Sequence, residues 1–162
     1  MGWGEHETTV GILIRLLDRP FACDCGRTHH IPTRHITVGH GALNALPEAL
    51  AATGGPVRLL AVSDAATRKA AWDAIEPRLR SLGRTVVEVV LPPGPHGPPL
   101  ADEANRQRIQ EAIRADTDAI LAVGSGTIND LAKMSSRPCG KPYLVSATAP
   151  SMNGYPSTNA SL

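Results

Sequence analysis

Gly124-Ser125-Gly126-Thr127 is a run whose residue types suit the binding of a phosphate group. Two glycines let the backbone approach an anion closely. Ser125 and Thr127 add hydroxyl donors, and a helix starting there would contribute free N–H groups reinforced by its dipole. The same run also serves as an ordinary strand-to-helix turn, since short glycine pairs follow strands throughout α/β proteins. A second cluster, Cys23, Cys25, His29 and His30, offers thiolates with imidazoles, the ligand types zinc prefers. Its spacing departs from the usual zinc knuckle, in which roughly two to four residues separate paired cysteines, so a capped turn with buried thiols stands beside the metal reading. Asp64 closes an apolar run. There it either caps the following helix or accepts hydrogen bonds from the hydroxyls or base of a nucleotide.

The elements that must position these groups follow from hydrophobic periodicity. Ala119 to Lys133 reads AILAVGSGTINDLAK: a continuous apolar run, the glycine turn, then Ile128, Leu131 and Ala132 on one helical face. Upstream, residues 1–34 carry turn residues and prolines that predict an irregular lead-in with little regular structure. ITVG at 36–39 predicts a short β-branched strand, and Leu43, Leu46 and Leu50 predict the helix after it. VRLLAVS predicts a strand buried on both faces, and Trp72, Ile75, Leu79 and Leu82 share the face of the next helix. Pro77 inside that pattern should kink the helix or end it near Glu76. TVVEVVL is a further strand, PPGPHGPPL a rigid loop, ADEANRQRIQEAIRAD a half-exposed helix, and YLVSA a last strand. Strands alternating with helices imply right-handed crossovers and an α/β fold: a Rossmann-like open parallel sheet with helices on both faces.

Composition narrows the class of partner. Lys and Arg total 16 against 15 Asp and Glu, so no overall field draws the chain to nucleic acid or to an anionic membrane. Aromatic residues make up 3%, too few for the stacking platforms of a single-strand binder. Three cysteines make no disulfide framework, and no apolar run approaches membrane-spanning length; the expectation is a reduced, cytoplasmic protein that binds a small molecule or another protein. At 162 residues, one core is the default.

In an open parallel sheet, ligands bind outside the carboxyl ends of the strands, where Asp64, the Gly124 loop and the Thr148 loop would converge. This is not the ordinary G-x-G-x-x-G fingerprint: the third glycine would fall at Asn129, and the loop follows the fourth expected strand instead of the first. GSGTINDLAK, followed by TAPSMNGYPS, resembles the sn-glycerol-1-phosphate dehydrogenases, relatives of the iron-containing alcohol dehydrogenases, glycerol dehydrogenases and dehydroquinate synthases. CDCGRTHHIPT and SDAAT resemble the bacterial branch of that family. The resemblance implies NAD or NADP as cofactor. Under it, Asp64 matches the acid that contacts the dinucleotide, and Gly124, Ser125, Gly126, Thr127 and Ile128 match the pyrophosphate loop. Thr148, Ala149, Pro150 and Ser151 match a second nucleotide-contacting turn, and Ser157 another cofactor contact. Residues 35–162 would then be the dinucleotide-binding domain. The implied reaction is reversible hydride transfer between NAD(P)H and dihydroxyacetone phosphate, with zinc or a similar metal polarising the carbonyl and no protein residue performing the hydride step.

Two departures qualify what the resemblance implies. Asn153 stands where the family usually has a substrate-contacting aspartate. A charge-assisted bond is worth about 1.5–3 kcal/mol, so the exchange weakens the usual substrate roughly tenfold to a hundredfold or marks a different one. The family's metal ligands and its C-terminal helical domain match nothing up to Leu162, so the chain alone is expected to be catalytically silent and to associate with itself, as a homo-oligomer, or with a partner chain. A stand-alone dinucleotide- or phosphate-binding module and a dehydroquinate synthase-like enzyme are the other readings. The choice between NAD and NADP turns on charge near the ribose, where Asp64 and Arg68 pull in opposite directions.

Overall fold

The run Ala119–Gly124 contains no charged or polar side chain, and all of it is buried. A strand with no solvent-facing position has to be covered on both faces, as in the middle of a parallel sheet. A computed structural model, which describes residues 9–157 and residue 160, places it there. The chain forms two compact units, Met1–Ala52 and Thr53–Leu162.

The first unit holds helix α1 (Thr9–Leu16), an antiparallel hairpin of β1 (Pro20–Ala22) and β2 (Thr28–His30), and a 3-10 turn at Ala42–Ala45 that leads into α2 (Leu46–Ala52). Two expectations are corrected here. The lead-in is not irregular: it carries a helix and a hairpin, because Gly26 at φ 80° turns the chain so that the Cys23 N–H donates to the Arg27 carbonyl at 3.0 Å. Residues 1–8 lie outside the described residues. Nor do residues 36–38 form a strand. Val38 is 71% exposed, His35 Nε2 and Thr37 Oγ1 meet each other at 2.7 Å, and β-branched residues do not hold a strand without a neighbour to pair with.

The second unit is built on a four-stranded parallel sheet in the order β4-β3-β5-β6, with β3 Arg58–Asp64, β4 Thr85–Leu91, β5 Ala119–Gly124 and β6 Tyr143–Ala147. The glycine loop therefore follows the third strand of this sheet. From β3 the chain crosses outward to β4; from β5 it crosses outward the other way to β6. Right-handed crossovers put the intervening helices on opposite faces, and the sheet has its switch point between β3 and β5. On one face Leu60, Val62, Ile120 and Ala122 pack with Ile109 of α5 (Glu103–Ala112) and with Ile128, Leu131 and Ala132 of α6 (Gly126–Ser136). The alternate residues Leu59, Ala61, Leu121 and Val123 are equally buried, as are Trp72, Ile75 and Leu79 from the helical segment that links β3 to β4.

That segment runs as α3 (Ala65–Thr67), a π-turn at Arg68–Trp72, and α4 (Asp73–Ser81). Pro77 does not end it. The missing N–H of the proline costs one hydrogen bond, but Ile75 and Leu79 bury completely on either side of it, and tertiary packing holds the helix through the break. Helix α5 is half exposed as expected, with Asn105 and Ile109 inward.

Asp118, just before β5, ties the starts of two strands together. Its Oδ2 accepts from the Val57 N–H at 2.9 Å and the Arg58 N–H at 2.8 Å. The Arg58 and Val57 amides hold its carboxyl below the usual aspartate range. A group with a depressed folded pKa stabilises above its unfolded value of about 3.9 and loses that contribution as pH falls through the folded value. Wild type should thus be more stable than Asp118→Asn at pH 7, and the gap should close on acidification towards pH 2. Urea midpoints at both pH values check this; a gap independent of pH would show that the charge plays no part.

Candidate functional site

Three polar segments meet at the carboxyl edge of the sheet. Asp64 ends β3, two residues past the last β3–β5 pair, Val62 with Ala122. Gly124 ends β5, and Ser125 is the N-cap of α6. After β6, Thr148 returns to this point and donates its N–H to the Gly124 carbonyl at 3.1 Å. Asp64, the Gly124 loop and the Thr148 turn therefore come together at the switch point of the sheet.

Each segment is held by a specific local device. Asp64 is a helix cap: Oδ1 accepts from the Ala66 and Thr67 N–H groups at 2.8 Å each, while the Thr67 hydroxyl lies 3.0 Å from the Asp64 N–H. Both cap bonds go to Oδ1, so Oδ2 is not consumed by the cap. Ser125 differs, for its hydroxyl makes no cap bond although it occupies the N-cap position. The N–H groups of Gly126, Thr127 and Ile128 open the helix, where no acceptor exists within it, and the Asn129 N–H is the first to bond back, to Ser125 O at 2.9 Å. Ser125, Gly126 and Thr127 are all partly open to solvent. An anion placed there would meet a hydroxyl and a helix start together.

Ile128 is buried and faces the core, so only its backbone N–H is available to a ligand. Gly124 is required by space. A Cβ on it would lie 2.5 Å from Ile128 Cβ.

The tail folds back over the start of α6 and is pinned at several points. Lys133, only 5% exposed, donates from Nζ to the Gly154 carbonyl at 3.1 Å. Burial holds its pKa below the ordinary lysine value, with Asp130 opposing the shift. Tyr155 donates its hydroxyl to the Ala149 carbonyl at 2.8 Å, with Ser151 Oγ 3.5 Å away. The Ser157 N–H closes a turn on Gly154 at 3.0 Å. Pro150, Ser151 and Asn153 are exposed along the outer side of this segment. Met152 lies against the helix start, its Sδ 2.9 Å from where a Cβ on Gly126 would fall.

Asn129, at the position of a third glycine, is fully buried. Its Oδ1 accepts the hydroxyl of Tyr143, and its Nδ2 donates to Asp130 Oδ1 at 2.8 Å. Burial pushes the Tyr143 pKa far up, so the phenol remains a donor. Met152, Lys133, Tyr143 and Tyr155 were not singled out from the sequence: each acts through contacts 6 to 26 residues away, which no local pattern reveals.

Metal-ligating groups do not gather here. Among the described residues the one trio of His, Cys, Asp or Glu donors close enough to share an ion is Cys23, Cys25 and His29, in the first unit. The described residues at the switch point therefore do not fit a metal.

A doubly wound parallel sheet with a glycine turn and a helix start at its switch point is a Rossmann-like α/β architecture. Residues 37–162 match the family model of the iron-containing alcohol dehydrogenases, and the chain belongs to that family. It is 34% identical over 139 residues to a glycerol-1-phosphate dehydrogenase (NAD(P)+) of Halalkalibacterium halodurans, covering 85% of this chain and 35% of the relative. To the enzyme of the same name from Bacillus licheniformis it is 29% identical over 142 residues, covering 87% and 35%. The chain thus spans about 35% of the length of these curated relatives. Among solved structures, glycerol dehydrogenase from Schizosaccharomyces pombe superimposes with a TM-score of 0.53 at 22% identity, over 60% of this chain and 23% of the other. NADH-dependent butanol dehydrogenase A of Thermotoga maritima gives 0.51 at 23%, over 67% and 26%. These two likenesses establish the fold. Among the described residues, no helix is long and apolar enough to cross a membrane.

Proposed function

We propose that this chain is the NAD(P)-binding part, residues 35–162, of a metal-dependent dehydrogenase that exchanges a hydride between NAD(P)H and dihydroxyacetone phosphate. The observation that carries the reading is the start of α6, where the Ser125 hydroxyl makes no cap bond beside N–H groups that lack acceptors within the helix. The pyrophosphate would lie on Gly124, Ser125, Gly126, Thr127 and the Ile128 N–H. Asp64 would accept from the nucleotide's hydroxyls through Oδ2, and Thr148, Ala149, Pro150, Ser151 and Ser157 would border the cofactor. Asn153, exposed on the same segment, would face the phosphorylated substrate. The relatives' name supports glycerol-1-phosphate chemistry and the family's name a metal-dependent enzyme, while dihydroxyacetone phosphate and zinc follow from the resemblance of the GSGTINDLAK and TAPSMNGYPS segments. The metal would be zinc or another divalent ion, held outside the described residues, so that these residues alone turn over no substrate. On this reading a helical domain or a partner chain completes the site, the protein works as a homo-oligomer, and the working compartment is the cytoplasm.

Fluorescence titration with NADH and, separately, NADPH tests the proposal. Saturable binding to one or both is expected. Asp64→Asn keeps the helix cap, because asparagine caps as well as aspartate, but removes the charge; it should weaken binding roughly tenfold or more. A folded chain that binds neither cofactor would overturn the reading.

A further inference from the structure

The hairpin of the first unit holds a group of side chains that the proposed dehydrogenase chemistry leaves unused. Cys23 Sγ, Cys25 Sγ and a ring nitrogen of His29 all lie within 4.8 Å of one another, and Cys25 Sγ is 3.1 Å from His29 Nε2. All three cysteines of the chain are free thiols. We propose that this hairpin is a binding site for a thiophilic divalent cation, zinc, with Cys23, Cys25 and His29 as its protein ligands.

The backbone builds the site. Cys23 and Cys25 sit in the turn itself, where the Gly26 N–H donates to the Cys23 carbonyl at 2.9 Å and Gly26 takes the left-handed conformation. This brings close two thiols that an extended strand would set on one face but roughly 7 Å apart. On β2, the register Phe21 with His29 places the imidazole beside the turn, and the Phe21 ring, 5.9 Å from that of His29, packs against it. His30 points away by strand alternation and lies 3.5 Å from Asp18 instead. Four candidates in the sequence thus resolve into three ligands and one bystander.

The dimensions suit a tetrahedral ion. Bonds of about 2.3 Å to sulfur and 2.0 Å to nitrogen place ligand atoms about 3.5–3.8 Å apart. The trio, spanning 3.1 to 4.8 Å, reaches that spacing through side-chain rotation. Cys25 and His29 are exposed, which gives the ion a path in and leaves its fourth position to water. Two soft thiolates with one imidazole select zinc over the hard, oxygen-seeking magnesium and calcium. The ion would staple β1 to β2, a two-stranded pair that is only marginally stable by itself.

Cobalt(II), which takes zinc sites and reports sulfur ligation by a thiolate-to-metal charge-transfer band in the near ultraviolet, is the probe. The full chain, reduced and stripped of metal, is titrated with cobalt and the complex then challenged with zinc. The expected result is one equivalent of cobalt with the thiolate band, which zinc displaces. Cys25→Ser should at least halve the band and Cys23→Ser with Cys25→Ser should abolish it, and His29→Ala should weaken binding by more than the roughly 10–100-fold that loss of a supporting residue costs. His30→Ala and Cys139→Ser should leave it unchanged. The exposed side chains at 25, 29 and 30 make these replacements compatible with folding, which far-ultraviolet circular dichroism verifies. Wild-type chain that shows no thiolate band, or a band that survives Cys23→Ser with Cys25→Ser, would overturn the proposal. A metal bound through oxygen and nitrogen alone gives no such band and would equally count against it.

Discussion

Replacing Gly124 by alanine is expected to abolish nucleotide binding and to destabilise the protein by about 1–3 kcal/mol, the range for forcing an extra methyl into a packed region. The new Cβ would fall 2.5 Å from Ile128 Cβ, 2.7 Å from its Cγ1 and 2.8 Å from its Cγ2. Rotating the isoleucine relieves at most one of the last two contacts, because a β-branched side chain has two γ carbons, and it leaves the first, since Cβ is fixed by the backbone. Ile128→Ala in the same chain should consequently fail to rescue Gly124→Ala. The conflict can be relieved only by moving the start of α6 away from β5, which disperses the donors of the glycine turn. Gly126 offers a sharp comparison: there the added Cβ meets only Met152 Sδ, at 2.9 Å, the movable end of a flexible side chain. Gly126→Ala should keep most of the stability, helped by the better helix propensity of alanine. Urea denaturation with NADH titration separates the two variants. Wild-type affinity in a folded Gly124→Ala chain would exclude this turn as the anion site.

Trp72 carries the other large effect. It is 2% exposed and shares its face with Ile75 and Leu79, both fully buried. Trp72→Ala should cost about 3–5 kcal/mol, the range for removing a large buried aromatic side chain. Trp72→Phe should cost far less than the lost ring area suggests. Among the described residues the buried indole N–H has no hydrogen-bond partner, so phenylalanine removes an unsatisfied donor together with the apolar surface. Unfolding followed by circular dichroism gives both values. A Trp72→Phe loss as large as the missing ring area implies would mean that the indole N–H is satisfied in solution.

The parts of this architecture that were legible in the sequence are those set by short-range pattern. Leu59 to Ser63 and Ala119 to Gly124 are continuous runs that fit only strands covered on both faces, and the structure has them so. The GSGT turn was readable because glycine and a following helical face leave few conformations open. Other features depend on contacts that periodicity does not encode. Residues 36–38 have strand propensity but no ladder, and the Cys23–Arg27 turn needed a left-handed Gly26 that composition alone presented as loop. Asp64 shows both sides, since the cap and the ligand role were equally open from sequence. The structure makes the cap plain while leaving one carboxylate oxygen outside it. Lys133 and Met152, which pin the tail against α6, and Tyr155, which closes the tail on itself, were invisible because their partners are carbonyls and a helix start outside any local pattern.

The π-turn at Arg68–Trp72 is in effect one residue more than a regular helix needs. Asp64 anchors the upstream end of this helix at the crevice, while Trp72, Ile75 and Leu79 anchor the downstream end on the sheet. The turn absorbs the supernumerary residue, so that both anchors keep their phase. Excising one residue from the Lys69–Ala71 stretch would let an ordinary helix join the same two anchors, and the chain should keep both its cap at the crevice and its grip on the sheet. A second added residue has no such outlet and would turn one anchor against the other by about 100°.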